Sequence, residues 1–184
     1  MISPYEICDL IWGRGALRWA AKNGVRLSKC MEVGVNRADY SRVIMRVAKP
    51  DLLVLVDPYT GYDFTSGKLT PANALIATAA RIEAQRRMAK YGDRVEWHIA
   101  TFSDFFHYSL SAKLNDYDFV YIDAEHTYKA TLDDMLLGWE LVRHGGILAG
   151  HDTWSPQVFR AVATFQAKYN VDVSCHGVDW WVVK

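Results

Sequence analysis

The stretch DLLVLVD (51–57) is an almost unbroken run of branched apolar residues that ends in an acid. A strand with one solvated face alternates apolar and polar residues, whereas a strand in a parallel sheet is covered on both faces and is apolar throughout. The run therefore predicts a central strand of a parallel sheet.

Similar patterns recur along the chain, with helical patterns between them. Strands are also predicted at 30–35, 94–100, 117–123, 145–152, 171–177 and 178–184. Apolar residues at three- and four-residue spacing predict helices at about 5–22, 38–48, 72–90, 129–143 and 156–168. The helix over 72–90 has its apolar stripe at Leu75, Ile76, Ala79 and Ile82. Alternating strands and helices predict an α/β fold with helices on both faces of one sheet, and the last two strands are close enough to form an antiparallel pair.

The length and composition are those of one globular domain. The chain has 184 residues, of which 51% are apolar, and this is enough for a sizeable core. We predict a single domain over 1–184, with an N-terminal helix at about 5–22 and the core at about 30–184. Three cysteines without metal-binding spacing, and no pattern of a signal peptide, predict a cytoplasmic protein.

The charge balance gives no support to nucleic acid or a membrane surface as the partner. The 21 basic residues equal the 21 acidic ones, so nothing favours binding to nucleic acid or to a membrane surface. No apolar run approaches the roughly 20 residues needed to cross a bilayer. Zero net charge leaves little long-range repulsion between copies and is compatible with a homo-oligomer.

Ionisable residues stand where predicted strands end. Asp57, Asp123, His151 and Asp152 each follow an apolar run. Ligands of open α/β sheets bind at the carboxyl ends of the strands. We therefore expect these side chains to gather along one edge of the sheet, although they are far apart in sequence.

The first strand-to-helix turn is suited to a nucleotide-like ligand. Gly34 permits a tight turn and a close approach of the ligand to the backbone, and the following helix offers unpaired N–H groups. Asp57 is placed to accept hydrogen bonds from both hydroxyls of a ribose, and Phe102 to pack on an adenine face. The alternatives are an ordinary glycine turn and, for Asp57, a helix cap or turn residue.

Four segments together resemble class I S-adenosylmethionine-dependent methyltransferases, and the resemblance spans about residues 30–154. They are MEVGVNRADYS (31–41), LVLVDPY (53–59), YIDAEHTYKATLDD (121–134) and GGILAGHDTW (145–154). The closest likeness is to a small group with the signatures Ile-Asp-Gly-x-His-x-Tyr and Gly-Gly-x-x-x-x-His-Asp. The chain departs from the family pattern where Ala38 and Ala124 replace glycines.

The resemblance implies a fold and a cofactor site. The fold is a Rossmann-like, seven-stranded, mostly parallel sheet whose last strand is antiparallel. The cofactor is S-adenosylmethionine, and residues of this chain are expected to contact its methionine end, its ribose and its adenine. Glu32 and Gly34 line its methionine end, with Ser41 nearby, and Asp123 is also expected to bind the cofactor. Asp57 holds the ribose, and the residues that flank the adenine are Thr101, Phe102 and Ser103.

The acids at the sheet edge then acquire chemical roles. Asp123, His151 and Asp152 are expected to converge on one divalent cation, Mg²⁺ or Mn²⁺, because carboxylate oxygens suit the first and an added imidazole suits the second. The alternative is a hydrogen-bonded polar network without metal. His126 is the candidate catalytic base beside Asp123, and its alternative role is to cap the next helix or to orient Asp123.

These expectations combine into a metal-assisted O-methyltransferase that acts on a small hydroxylated acceptor. A bound cation would stabilise the oxyanion and lower the pKa of the hydroxyl. Two alternatives remain open from the sequence. One is an NAD-dependent oxidoreductase, which also uses a glycine turn and an acid after the second strand, and the other is a non-catalytic nucleotide-binding scaffold domain.

Overall fold

The computed structural model describes residues 15–63 and 68–184. Nine strands are described: β1 Lys29–Val33, β2 Leu52–Val56, β3 Tyr62–Asp63, β4 Lys68–Leu69, β5 Val95–His98, β6 Tyr117–Ile122, β7 Val142–Gly150, β8 Ser174–His176 and β9 Asp179–Val183. Six α-helices are described: α1 Gly15–Lys22, α2 Asp39–Val47, α3 Pro71–Met88, α4 Phe102–Tyr108, α5 Tyr128–Leu141 and α6 Pro156–Tyr169. A 3₁₀ helix spans Ala89–Arg94. Of the helix predicted at about 5–22, only α1 is described, and residues 5–14 lie outside the described residues.

One sheet organises the molecule, with strand order β5-β2-β1-β6-β7-β9-β8. The first five of these strands are parallel to one another, and β9 runs antiparallel to both β7 and β8. This confirms the prediction of a seven-stranded, mostly parallel sheet with an antiparallel last strand. The short hairpin β3–β4 was not predicted and stands apart from the sheet. In the part of the chain that the structure describes, no helix is both long and apolar enough to traverse a lipid bilayer.

Two apolar layers hold the helices against the sheet. On one face α1, α2 and α3 contribute residues such as Leu17, Ile44 and Met88. On the other face α4, α5 and α6 contribute residues that include Phe105 and Phe165. Every residue of β6 is buried, as expected for a central parallel strand that is covered on both sides.

The predicted apolar stripe of α3 is wrong. Leu75, Ile76 and Ile82 are mostly exposed, whereas the buried residues of the helix are Ala80, Ala84 and Met88. Periodicity places a helix, but the rotation of the helix about its axis is decided by packing. The two alanines therefore lie on the buried side of α3, and the larger branched residues lie on its exposed side.

Asp118 connects three strands at the end of the sheet where they begin. Its Oδ2 accepts hydrogen bonds from the backbone N–H groups of Ser28 and Lys29, both at 2.7 Å. Its Oδ1 accepts from Arg143 Nε at 2.6 Å. A buried carboxylate with three donors is well satisfied. The starts of β1, β6 and β7 are therefore fixed to one another by a single side chain, which we call the Asp118 clamp.

Candidate functional site

A cleft of about 1040 Å³ opens at the opposite end of the sheet, where β1, β2 and β6 terminate. Most of the predicted cofactor residues line it, namely Glu32, Gly34, Asp57, Thr101, Phe102, Ser103 and Asp123. Ser41 is fully buried and donates a hydrogen bond from its Oγ to Glu32 Oε2. The topology thus brings the predicted residues together, and their binding of a cofactor stays a prediction.

Gly34 is enclosed between two strand ends. Its backbone N–H donates to the carbonyl oxygen of Val56 at 2.9 Å. A Cβ atom at position 34 would lie 2.0 Å from the carbonyl oxygen of Asp123, and the backbone has φ +84°. Both the close approach and the left-handed conformation require glycine. The result is that the turn after β1 lies directly against the turn after β6, which carries Asp123.

Asp57 has a structural role, of the turn-residue kind that the sequence left open as an alternative. Its Oδ2 accepts hydrogen bonds from the N–H groups of Val35 at 2.8 Å and Asn36 at 2.9 Å. Its Oδ1 accepts from the N–H of Tyr59 at 2.8 Å. A carboxylate has about four lone-pair positions, so three backbone donors leave about one for a ribose hydroxyl. Asp57 fastens the Gly34 turn to β2, and its contact with a ribose stays a prediction.

The entry into α2 shows how the family departure at Ala38 is accommodated. Ala38 has φ 60° and ψ 34°, the left-handed conformation that glycine adopts more readily. It is fully buried, and its N–H donates to the carbonyl oxygen of Val35 at 2.8 Å. Alanine therefore occupies a glycine-like position, and the turn keeps its shape because packing and this hydrogen bond hold it.

A cluster of two carboxylates and two imidazoles lies at the edge of the cleft. Asp152 is 5% exposed, and its Oδ2 is 2.7 Å from His126 Nε2. Its Oδ1 is 3.0 Å from His151 Nδ1. Asp123 Oδ1 is 3.8 Å from His126 Nε2 and 4.0 Å from His151 Nδ1. All four side chains thus meet where β6 and β7 end, as the sequence predicts for Asp123, His151 and Asp152.

Charge in this cluster is strongly coupled. The carboxylates of Asp123 and Asp152 raise the pKa of His126 to about 10. Burial favours the neutral form of Asp152, but hydrogen bonds from His126 and His151 outweigh it and hold the pKa of Asp152 well below its usual range. At neutral pH the His126 imidazolium therefore lies between two carboxylates.

The donor set fits a divalent cation. Asp123, His126 and Asp152 each offer one ligand atom, and these atoms lie within 4.8 Å of one another. Carboxylate oxygens with an imidazole nitrogen suit Mn²⁺ and also Mg²⁺. The structure brings His126 into this set, where the sequence predicted His151. The spacing of His126, three residues after Asp123, was the available signal.

An acidic wall on the α5 side of the cleft was missed by the sequence analysis. Glu125, Asp133 and Asp134 line it. Burial, followed by the charges of Asp133 and Glu125, raises the pKa of Asp134 from its ordinary value of 3.8 to about 7. The adjacent acids at 133 and 134 were the only signal in the sequence, and such pairs are usually solvated.

We expect Asp134→Asn to stabilise the protein in a pH-dependent way. The unfolded chain loses the Asp134 proton near pH 3.8, but the folded protein keeps it until about pH 7. The free energy of unfolding therefore falls as pH rises through this window, and the loss persists above it. Asparagine removes the loss, so urea denaturation at pH 8 should show a variant more stable than wild type.

The same comparison near pH 4 should show a much smaller difference, because the unfolded chain is then still partly protonated and the folded protein fully so. Asp172→Asn, at an exposed position outside the cleft lining, serves as the control and should show little difference at either pH. An Asp134→Asn effect of the same size at both pH values would contradict the assignment.

The sequence of residues 31–153 matches the family of methyltransferase domains, which is more than half of the chain. No curated protein sequence matches it significantly. Among solved structures, the O-methyltransferase NovP is similar with a TM-score of 0.65 and 16% identity, covering 91% of this chain and 76% of that chain.

Two further structures share the fold. An O-methyltransferase from Bacillus cereus in complex with SAH has a TM-score of 0.61 and 17% identity, covering 100% of this chain and 83% of that chain. The O-methyltransferase TomG from Streptomyces achromogenes, in complex with SAM, has a TM-score of 0.60 and 15% identity, covering 91% and 77%. At such identities the likeness shows the fold alone.

Proposed function

Since the chain belongs to the methyltransferase domain family, we propose that it transfers a methyl group from S-adenosylmethionine to a hydroxyl group of a small acceptor. The observation that carries the proposal is the cluster of Asp123, His126 and Asp152 beside the cleft that Glu32 and Gly34 line. The family membership disfavours the NAD-dependent oxidoreductase. The finer likeness to the group with the two signatures stays a prediction.

The cleft suits a cofactor with a positively charged sulfur. Glu32 is 2% exposed on its floor and Asp123 lies across the Gly34 turn, so carboxylates are near the expected sulfonium. Phe102 is an aromatic residue that lines the same cleft, at the start of α4, where an adenine ring would lie. The two similar structures in complex with SAH and SAM support this choice of cofactor.

The transfer is an in-line displacement. The acceptor oxygen attacks the methyl carbon while the carbon–sulfur bond breaks, leaving the neutral thioether S-adenosylhomocysteine, and the hydroxyl proton passes to a base. The protein must hold the oxygen behind the methyl group, near van der Waals contact. A hydroxyl is a weak nucleophile, so removal of its proton is the demanding part of the reaction.

We propose that His126 takes this proton. Asp152 orients the imidazole through the 2.7 Å contact with Nε2. His126 accepts a proton only in its neutral form, so the carboxylates that raise its pKa must first be offset by another positive charge. A divalent cation held by Asp123 and Asp152, with the His126 imidazole left uncoordinated, would supply that charge and stabilise the acceptor oxyanion. Without such a charge, His126 has only the alternative role of orienting the carboxylates.

Calorimetric titration tests the cofactor assignment. We expect S-adenosylmethionine and S-adenosylhomocysteine to bind saturably, and NAD not to bind. The titration is repeated with Mn²⁺, with Mg²⁺ and with EDTA, so that metal binding is measured separately from cofactor binding. No heat of binding with millimolar S-adenosylhomocysteine under any of these conditions would refute the proposal.

Turnover decides between the enzyme and the non-catalytic scaffold. The protein is incubated with methyl-labelled S-adenosylmethionine and a panel of phenolic diols and sugar diols, and labelled product is separated. We expect labelled product to form only when one of these diols is present, and we expect its amount to fall when EDTA is added. Saturable cofactor binding without product from any acceptor would favour the scaffold.

A further inference from the structure

Trp154 combines a fixed position with an exposed ring. Its Nε1 donates a hydrogen bond to Asp152 Oδ1 at 2.6 Å, yet the residue is 68% exposed. Tryptophan is highly buried on average, because its large apolar surface is costly to hydrate. A hydrogen bond to a carboxylate is strong and directional. The indole is therefore anchored by its polar edge, while most of the residue surface is exposed to solvent.

The ring is placed beside the reactive cluster. Asp152 Oδ1 accepts from Trp154, while Asp152 Oδ2 contacts His126 Nε2 at 2.7 Å. One carboxylate thus bridges the exposed indole and the candidate base.

The loop that carries Trp154 is braced on both sides. The Thr153 N–H donates to the carbonyl oxygen of Val178 at 3.0 Å, and the Ser155 N–H donates to that of Asp152 at 2.8 Å. Val178 and Phe159, at 37% and 60% exposure, add apolar surface in the adjoining turn and first helical turn. Trp154 thus lies in a hydrogen-bonded turn, and two further partly exposed apolar residues lie in the adjoining segments.

We propose that Trp154 is the platform on which the methyl acceptor stacks, and that its N–H positions Asp152 for the reaction. This inference rests on the proposed function and specifies its acceptor: a flat ring with an apolar or π face and a hydroxyl at its edge. Phenolic rings and sugar rings share this chemistry, because both stack on indole through C–H or π surfaces. Trp154 is both a recognition and a positioning residue.

The indole N–H signal of Trp154 provides a direct test. The chain has seven tryptophans, and the indole signal that disappears from the ¹⁵N–¹H spectrum of Trp154→Phe is that of Trp154. Labelled protein is saturated with S-adenosylhomocysteine and titrated with catechol, and separately with methyl β-D-glucopyranoside. We expect one probe to shift the Trp154 signal saturably, which also distinguishes a phenolic from a sugar acceptor. The signal of Trp97, which is partly buried in β5, should stay unchanged.

The outcomes separate the two proposals. If S-adenosylhomocysteine itself changes no signal, the proposed function fails. If S-adenosylhomocysteine changes signals but neither probe shifts the Trp154 signal, the platform is refuted. It is also refuted if the probes shift the Trp97 signal as much as the Trp154 signal.

Kinetics with the best acceptor of the panel separate stacking from positioning. Trp154→Ala should raise KM by about tenfold, the factor for a stacking contact of ~1.4 kcal/mol. Trp154→Phe keeps a ring but loses the N–H, so we expect KM within about threefold of wild type and a lowered kcat. Tyr108→Ala, at an 84% exposed aromatic at the far end of α4, should change neither. An unchanged KM in Trp154→Ala would also overturn the proposal.

Discussion

Replacing Gly34 with alanine is expected to destabilise the protein by about 3–5 kcal/mol and to abolish cofactor binding. The added Cβ would lie 2.0 Å from the carbonyl oxygen of Asp123 and 2.6 Å from its carbonyl carbon, and both are backbone atoms that no side-chain rotation can move. The turn after β1 and the turn after β6 must then separate. Because these turns carry the residues proposed for the cofactor, stability and binding fall together. Urea denaturation and calorimetry with S-adenosylhomocysteine measure the two effects.

Gly24 offers a matched control. It also has a left-handed backbone, with φ +67°, but a Cβ atom there would have nothing within 4 Å. Gly24→Ala therefore carries the conformational cost alone, about 1 kcal/mol, and should leave cofactor binding intact. If the two alanine variants lose the same stability, the contact between the Gly34 turn and Asp123 is not the cause.

Asp152→Asn is expected to lower kcat/KM for methyl transfer by about 1,000-fold, the range in which loss of proton transfer falls. The carboxylate holds His126, His151 and Trp154 through contacts of 2.7, 3.0 and 2.6 Å. Asparagine keeps the size of the side chain but loses the negative charge, so the imidazole is no longer oriented. Steady-state kinetics measure the loss.

Cofactor binding should change little in Asp152→Asn, because Asp152 does not line the large cleft. The control is Asp118→Asn, which alters an equally buried carboxylate at the other end of the sheet. That variant should lose stability, while its folded fraction turns over as fast as wild type. An Asp152→Asn enzyme that keeps more than a tenth of wild-type kcat/KM would contradict the role given to the cluster.

The fold was predictable because its signals are local and repeated. Strands such as 52–56 are apolar throughout, and their alternation with helical patterns leaves few arrangements other than a parallel sheet. The location of the site followed from the rule that ligands bind at the carboxyl ends of the strands, which is why Asp57 and Asp123 were expected to lie along one edge of the sheet. The stripe of α3 failed because periodicity does not say which face a helix turns toward the sheet.

Details of the site depended on backbone geometry that no side-chain pattern encodes. Asp152 has φ 67°, and this uncommon conformation lies within the turn that places Trp154 and His151 on the same oxygen. His126, rather than His151, belongs to the set of three residues whose ligand atoms lie within 4.8 Å of one another. The three amides that hold Asp57 likewise come from the path of two turns, which becomes known only when the strands are in register.

The Asp118 clamp has an evolutionary consequence. It fixes the starts of three strands at the end of the sheet farthest from the chemistry, so changes in the acceptor-facing loops at the other end leave these contacts intact. Substitutions in those loops can then change which acceptor is recognised before they destabilise the fold. Substitutions that change the acceptor can therefore accumulate one at a time while the protein stays folded.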